Sequence, residues 1–130
     1  MIAFDTNVLL RLFQRKDDPA QSARAERALG LHAPVFLSDV TLAEFAWVCG
    51  RKFKMSRREI GECLDAIIEA PEFVLRDEEV VTRAVEGYHS RKSTFADWLI
   101  GEANKHAGCE TTLTFDEGAV KNDLFTLVEG

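Results

Sequence analysis

The sequence lacks a long apolar run. Its longest uncharged stretch extends only from Ala28 to Ser38 and contains Pro34, whereas a membrane-spanning helix needs about 20 apolar residues. A spanning helix is therefore excluded. Cysteine is scarce: Cys49, Cys63 and Cys109 are odd in number and form no CxxC pair. That excludes a disulfide framework, and their apolar neighbours predict three small buried hydrophobes. There is no HExxH and no histidine pair; His32, His89 and His106 lie far apart and read as surface or packing residues. Neither GxGxxG nor GK[ST] occurs, which argues against a nucleotide-phosphate loop. The chain opens on Met1-Ile2-Ala3-Phe4-Asp5, with no basic region and no leader-length apolar stretch, so no export signal is expected.

What is present is an ordinary globular balance. Of 130 residues, 46% are apolar and 29% charged, which argues against disorder. A chain of this length buries roughly two-thirds of its extended surface on folding, enough for one core. The expectation is a single soluble, cytoplasmic domain over residues 1–130. Sixteen basic against 22 acidic residues give a net charge of −6, which on its face argues against a nucleic-acid binder. The distribution matters more than the sum. Arg51, Lys52, Lys54, Arg57 and Arg58 place five positive charges in eight residues, and Glu59 to Glu79 then carries eight acids and one base.

No repeat, low-complexity tract or linker interrupts the chain. Residues 2–5 form a short apolar run before a helix from about Thr6 to Gln14. An Ala-rich helix over 20–32 is broken near Pro34, Val35-Phe36-Leu37 reads as a strand, and a helix follows from Ser38 to Cys49. Ile60, Cys63, Leu64, Ile67 and Ile68 fit the amphipathic template. Phe73-Val74-Leu75 is another strand. Val80 to Tyr88 and Ala96 to Ala103 make two more helical stripes, the second ending near Gly108, a suitable C-cap. Thr111–Phe115 and Phe125–Val128 complete the strands. Such alternation predicts an α/β fold with a parallel sheet covered by helices on both sides.

Ligand sites in α/β sheets form beyond the carboxyl ends of the strands, and Asp5 and Asp116 fall there. Within the last of these runs a period of two separates Leu113 and Phe115 from Thr112, Thr114 and Asp116. Taken singly, each aspartate is equally readable as a helix cap or turn residue. Glu44 is the one charge between Asp39 and Arg51 on a helix apolar on almost every side, which predicts burial. A buried carboxylate must be paired, protonated or metal-bound, unless a Thr41-x-x-Glu44 capping box accounts for it. Asp97 follows Thr94 by three residues in a first helical turn, where the helix dipole stabilises an acid and keeps it ionised. If the four acids converge they repel one another without a cation, and an all-oxygen set favours Mg²⁺ or Mn²⁺ over softer metals.

The order Phe4-Asp5-Thr6-Asn7, Leu42-Ala43-Glu44-Phe45, Phe95-Ala96-Asp97-Trp98-Leu99-Ile100 and Leu113-Thr114-Phe115-Asp116 resembles that of a PIN domain. More narrowly, it resembles the VapC-type ribonuclease toxins of toxin–antitoxin pairs, from Ile2 to about Val128. The resemblance implies a three-layer sandwich with a short, mainly parallel central sheet of four to five strands flanked by helices. It implies an endoribonuclease that hydrolyses RNA phosphodiester bonds with Mg²⁺, or alternatively Mn²⁺, leaving 5′-phosphate and 3′-hydroxyl ends. Asp5, Glu44, Asp97 and Asp116 then form the metal-binding catalytic cluster, with Asp5 and Asp97 carrying most of the metal. Thr6, Asn7 and Thr114 are its hydrogen-bonding support. Trp98 stands where a smaller residue is common in that family. Arg51, Lys52, Lys54, Arg57 and Arg58 become candidates for gripping RNA phosphates, aided by Arg11, Arg15 and Lys16; the alternative is a solvated helix connection. A homodimer silenced by a cognate antitoxin, which lays a basic side chain in the acidic pocket, completes the implication.

Two rivals compete. A haloacid-dehalogenase-type phosphatase also begins with a strand ending in Asp, but needs a second Asp where this chain has Asn7. A PIN-like scaffold that binds RNA or protein without cleaving is the other, and it fits less well because all four acidic positions are filled.

Overall fold

The computed structural model describes residues 1–90 and 92–129. The described residues form an α/β chain of six α-helices, four three-residue strands and one 3-10 turn. They divide into two compact units, Met1–Arg76 and Asp77–Gly130.

In the first unit the order is α1 (Thr6–Phe13), α2 (Pro19–His32), β1 (Val35–Leu37), α3 (Asp39–Arg51), α4 (Arg57–Glu69) and β2 (Phe73–Leu75). Every helix begins on a side chain that accepts an otherwise orphaned backbone N–H: Asp5, Asp18, Ser38 and Ser56. Ser56 and Glu59 form a reciprocal capping box, and its backbone hydrogen bond holds the Glu59 carboxyl below the usual range. β1 and β2 pair in parallel, Val35 opposite Phe73 and Leu37 opposite Leu75. The run at residues 2–5 is shorter than a strand. It makes a single parallel bridge, Ala3 to Phe36, because Asp5 already turns the chain into α1.

Leu9, Val35, Leu37, Leu42, Phe45 and Cys49 are fully buried, and Phe13 meets Phe45 edge-on at 5.2 Å. Helix α3 departs from the sequence expectation. Leu42, Phe45 and Cys49 make one packed face, while Val40 and Trp47 stand 68% and 61% exposed on the other. Apolar residues on both faces hid the sidedness of this helix.

In the second unit the order is α5 (Glu78–Ser90), α6 (Phe95–His106), β3 (Thr112–Thr114), the 3-10 turn (Ala119–Lys121) and β4 (Phe125–Leu127). Val80, Val81, Ala84, Val85 and Tyr88 form the buried stripe of α5. Tyr88 meets Phe95 of α6 edge-on at 6.0 Å, and the buried Trp98 ring lies directly on Gly87. Gly87 has no Cβ, so it leaves room for an indole at this helix crossing. Gly108 ends α6 with φ +100°, a conformation that favours glycine, and its N–H reaches Lys105 O at 2.9 Å. β3 and β4 also pair in parallel, Thr112 opposite Phe125 and Thr114 opposite Leu127. Among the described residues all pairings are thus parallel, as the alternation predicts, with the strands gathered as one short pair in each unit.

The cysteines separate. Cys49 is buried and Cys63 half-buried, but Cys109 is exposed in the turn after Gly108, against the expectation of three buried thiols. Burial pushes the Cys49 thiol up to about 12 and raises that of Cys63. The histidines are all exposed, and His106 Nε2 lies 3.2 Å from Asp77.

Candidate functional site

The first unit carries Asp5, Thr6, Asn7 and Glu44. Asp5 caps α1 with one carboxylate oxygen, Oδ1, accepting the Val8 N–H at 3.2 Å. Thr6 Oγ1 donates to Glu44 Oε1 at 2.7 Å across 38 residues of sequence, a short contact of the charge-assisted kind. It ties the start of α1 to the second turn of α3. Glu44 is exposed, so the burial argument made for it fails. The reason is the sidedness of α3: Glu44 lies on the outer face with Val40 and Trp47. Nor is it part of a capping box, because Ser38 is the N-cap and itself accepts the Thr41 N–H. Asn7 stands exposed in the first turn of α1.

The second unit carries Asp97, Thr114 and Asp116. Thr94 caps α6 by accepting the Asp97 N–H at 3.1 Å. Ser93 Oγ donates to Asp97 Oδ2 at 2.9 Å. Asp97 is thereby held at a helix N-terminus from two sides, half-buried. Ser93 was not foreseen. Its backbone sits at φ +124°, a strained conformation for a residue with a Cβ, and nothing in the sequence signals it. Beyond β3, the Thr114 hydroxyl accepts the Asp116 N–H at 3.0 Å, while Asp116 Oδ1 accepts the Gly118 N–H at 2.7 Å. The alternation in this strand is as read, but its apolar members face outward, with Leu113 and Phe115 62% and 86% exposed.

A common feature links the four acids. Each has one oxygen held by a named donor, and among the described residues the other oxygen has no protein partner: Asp5 Oδ2, Glu44 Oε2, Asp97 Oδ1 and Asp116 Oδ2. Holding one oxygen fixes the side chain while leaving the second for a ligand, which is how outer partners orient metal-binding carboxylates. In each unit these acids offer only oxygen donors, the kind that suits a hard divalent cation. Among the described residues no three His, Cys, Asp or Glu side chains stand together as a ready-made metal cluster.

The basic run follows α3 directly. Arg51 closes the helix with its guanidinium 5.3 Å from the Trp47 ring, and Lys52 Nζ lies 5.2 Å from the Phe53 ring. Lys54 is exposed at φ 55°. Arg57 and Arg58 open α4, adding charge to its already positive N-terminus, and Arg58 pairs with Glu62 at 3.4 Å. All five cations are exposed. Arg11 and Arg15 are engaged nearer home, with Asp17 at 2.7 Å and Glu26 at 2.9 Å. The Arg11 hydrogen bond holds Asp17 below the usual carboxylate range.

A cavity of about 1210 Å³ opens in the second unit, bordered by Glu78, Glu79, Arg83, Glu86, Trp98 and Glu102 among others, but none of the four candidate acids lines it. Among the described residues no helix is long and apolar enough to cross a membrane. Compared with known families, residues 2–123 match the model of the PIN domain. No curated protein matches the chain.

Proposed function

The chain belongs to the PIN-domain family, and from that premise we propose that it is a Mg²⁺-dependent endoribonuclease acting as the toxin of a toxin–antitoxin pair. PIN domains are generally metal-dependent nucleases; the RNA substrate and the toxin role are the finer reading. The observation that supports it is the shared state of Asp5, Glu44, Asp97 and Asp116, each fixed through one oxygen with the other left for a ligand. The family match also crosses the junction at Arg76 and Asp77 without a break, which supports one PIN domain over residues 1–130.

In this reading Asp5 and Asp97 supply most of the binding for Mg²⁺ or Mn²⁺, and Glu44 and Asp116 adjust it. A cation held there would supply a water of lowered pKa and polarise a non-bridging phosphoryl oxygen, so that the phosphorus becomes the more electrophilic centre. Thr6 orients Glu44, Ser93 orients Asp97, and Thr114 fixes the backbone from which Asp116 projects. Asn7 is left to hydrogen-bond water or RNA at the edge of the site. Arg51, Lys52, Lys54, Arg57 and Arg58 grip the RNA backbone, so neutralising Arg57 and Arg58 flattens the salt dependence of RNA binding.

The remaining partners are those the resemblance to VapC-type toxins implies: a homodimer in the cytoplasm, silenced by a cognate antitoxin whose basic side chain the carboxylates would attract. The test is cleavage of cellular RNA with Mg²⁺ and with EDTA, beside Asp97→Asn. Products with 5′-phosphate ends that require both the metal and Asp97 support the reading. No cleavage by folded, antitoxin-free protein with either Mg²⁺ or Mn²⁺ replaces it with the non-cleaving scaffold.

A further inference from the structure

Trp47 is one of two tryptophans in the chain, and it is 61% exposed although it sits mid-helix. Exposing a large aromatic ring forfeits much of the apolar stabilisation it would gain by burial. Its placement on α3 gives the exposure a use. Residues 40, 44, 47 and 51 recur at helical spacing, so Glu44, Trp47 and Arg51 share the outer face. Neighbours of this kind lie about 5–6 Å apart between Cβ atoms, and Glu44 precedes Arg51 by roughly 10 Å along the axis. The Arg51 guanidinium lies against the indole, 5.3 Å from the ring centroid, and opens the basic run. One helix face therefore carries, in order, a candidate metal-site carboxylate, an aromatic face and a cation.

Single-stranded RNA is recognised by that combination: bases stack on aromatic rings and Arg guanidinium groups, while cations follow the phosphates. We propose that Trp47 is a substrate-positioning platform on which an unpaired base of the RNA stacks, with Arg51 braced against the ring and holding the adjacent phosphate. The proposal deepens the endoribonuclease reading and rests on it for the identity of the substrate. Because stacking needs an unstacked base, the platform selects single-stranded over duplex RNA.

Tryptophan emission tests it without cleavage. Trp98 is 4% exposed, so quenching by added RNA reports mainly on Trp47. Asp97→Asn protein in EDTA is titrated with a single-stranded oligoribonucleotide and with the same sequence as a duplex. The single strand is expected to quench the emission saturably and the duplex is not, and the saturable signal disappears in Trp47→Phe. In the active enzyme, Trp47→Ala is expected to raise KM about 10-fold with kcat little changed, and Trp47→Phe to restore most of the loss. Unchanged melting temperatures separate this from misfolding. Wild-type KM in Trp47→Ala, or equal quenching by duplex, overturns the platform while leaving the nuclease reading intact. Absence of cleavage by wild type sinks the nuclease reading but leaves the quenching result to decide the platform. An emission shift that follows protein concentration and ignores RNA assigns this face to a second copy of the chain and also overturns the proposal.

Discussion

Replacing Gly87 with alanine sets two effects against each other. In the last turn of α5 alanine is favoured over glycine by up to about 1 kcal/mol. The added methyl, however, would stand 2.6 Å from Cζ3 and 2.7 Å from Cδ2 of Trp98, closer than carbon atoms pack. Trp98 is 4% exposed and planar, so it has little room to turn aside. Overpacking of this kind costs about 1–3 kcal/mol, and contact with three ring atoms places this site in the upper part of that range. The net expectation is a loss of about 1–2 kcal/mol, or roughly 3–10 °C in melting temperature for a domain of this size. Thermal unfolding of Gly87→Ala measures it. The decisive control is the same change in a Trp98→Leu background, where the ring is gone and alanine should stabilise. A higher melting temperature for Gly87→Ala in the native background refutes the reasoning. Equal shifts in both backgrounds show that the indole is not the cause. Activity should fall with stability, because the helix that carries Trp98 also carries Asp97.

Thr6→Val removes the hydroxyl that holds Glu44 while keeping the side chain's shape. Metal-dependent activity should drop about 10-fold through loss of this outer partner, with a stability change within about 0.5 kcal/mol, and Thr6→Ser should recover it; an unaltered rate would detach Glu44 from catalysis. The thiols should react in order of exposure and thiolate access. Iodoacetamide at neutral pH, followed by mass spectrometry, is expected to label Cys109 first, Cys63 slowly and Cys49 only on unfolding. Early labelling of Cys49 would contradict its burial.

The local readings in the sequence were legible where a single periodic signal dominated. The strands Val35–Leu37 and Phe73–Leu75 and the stripe from Ile60 to Ile68 match the observed elements closely. Gly108 as a helix terminator is likewise visible, since a positive φ after a helix favours glycine. The sidedness of helix α3 is not legible in the sequence, because Val40 and Trp47 look like core residues by composition, and burial is set by which neighbours arrive, not by hydropathy alone. The candidate acids could be named from their order along the chain. What holds them could not, since the Thr6–Glu44 bond joins residues 38 apart and the Ser93 contact depends on a positive φ. Gly87 and Trp98 show the same limit: each is unremarkable alone, and their complementarity exists only once α5 and α6 meet.

The proposed function requires Asp5, Glu44, Asp97 and Asp116 to act on a common divalent cation. The most direct test is calorimetric titration of Mn²⁺ into the wild-type protein and into Asp5→Asn, Glu44→Gln, Asp97→Asn and Asp116→Asn, each first shown to be folded. The account predicts one binding isotherm in the wild type that every one of the four variants weakens, most strongly Asp5→Asn and Asp97→Asn. Binding that responds to Asp5 and Glu44 but is indifferent to Asp97 and Asp116, or the reverse, would contradict it.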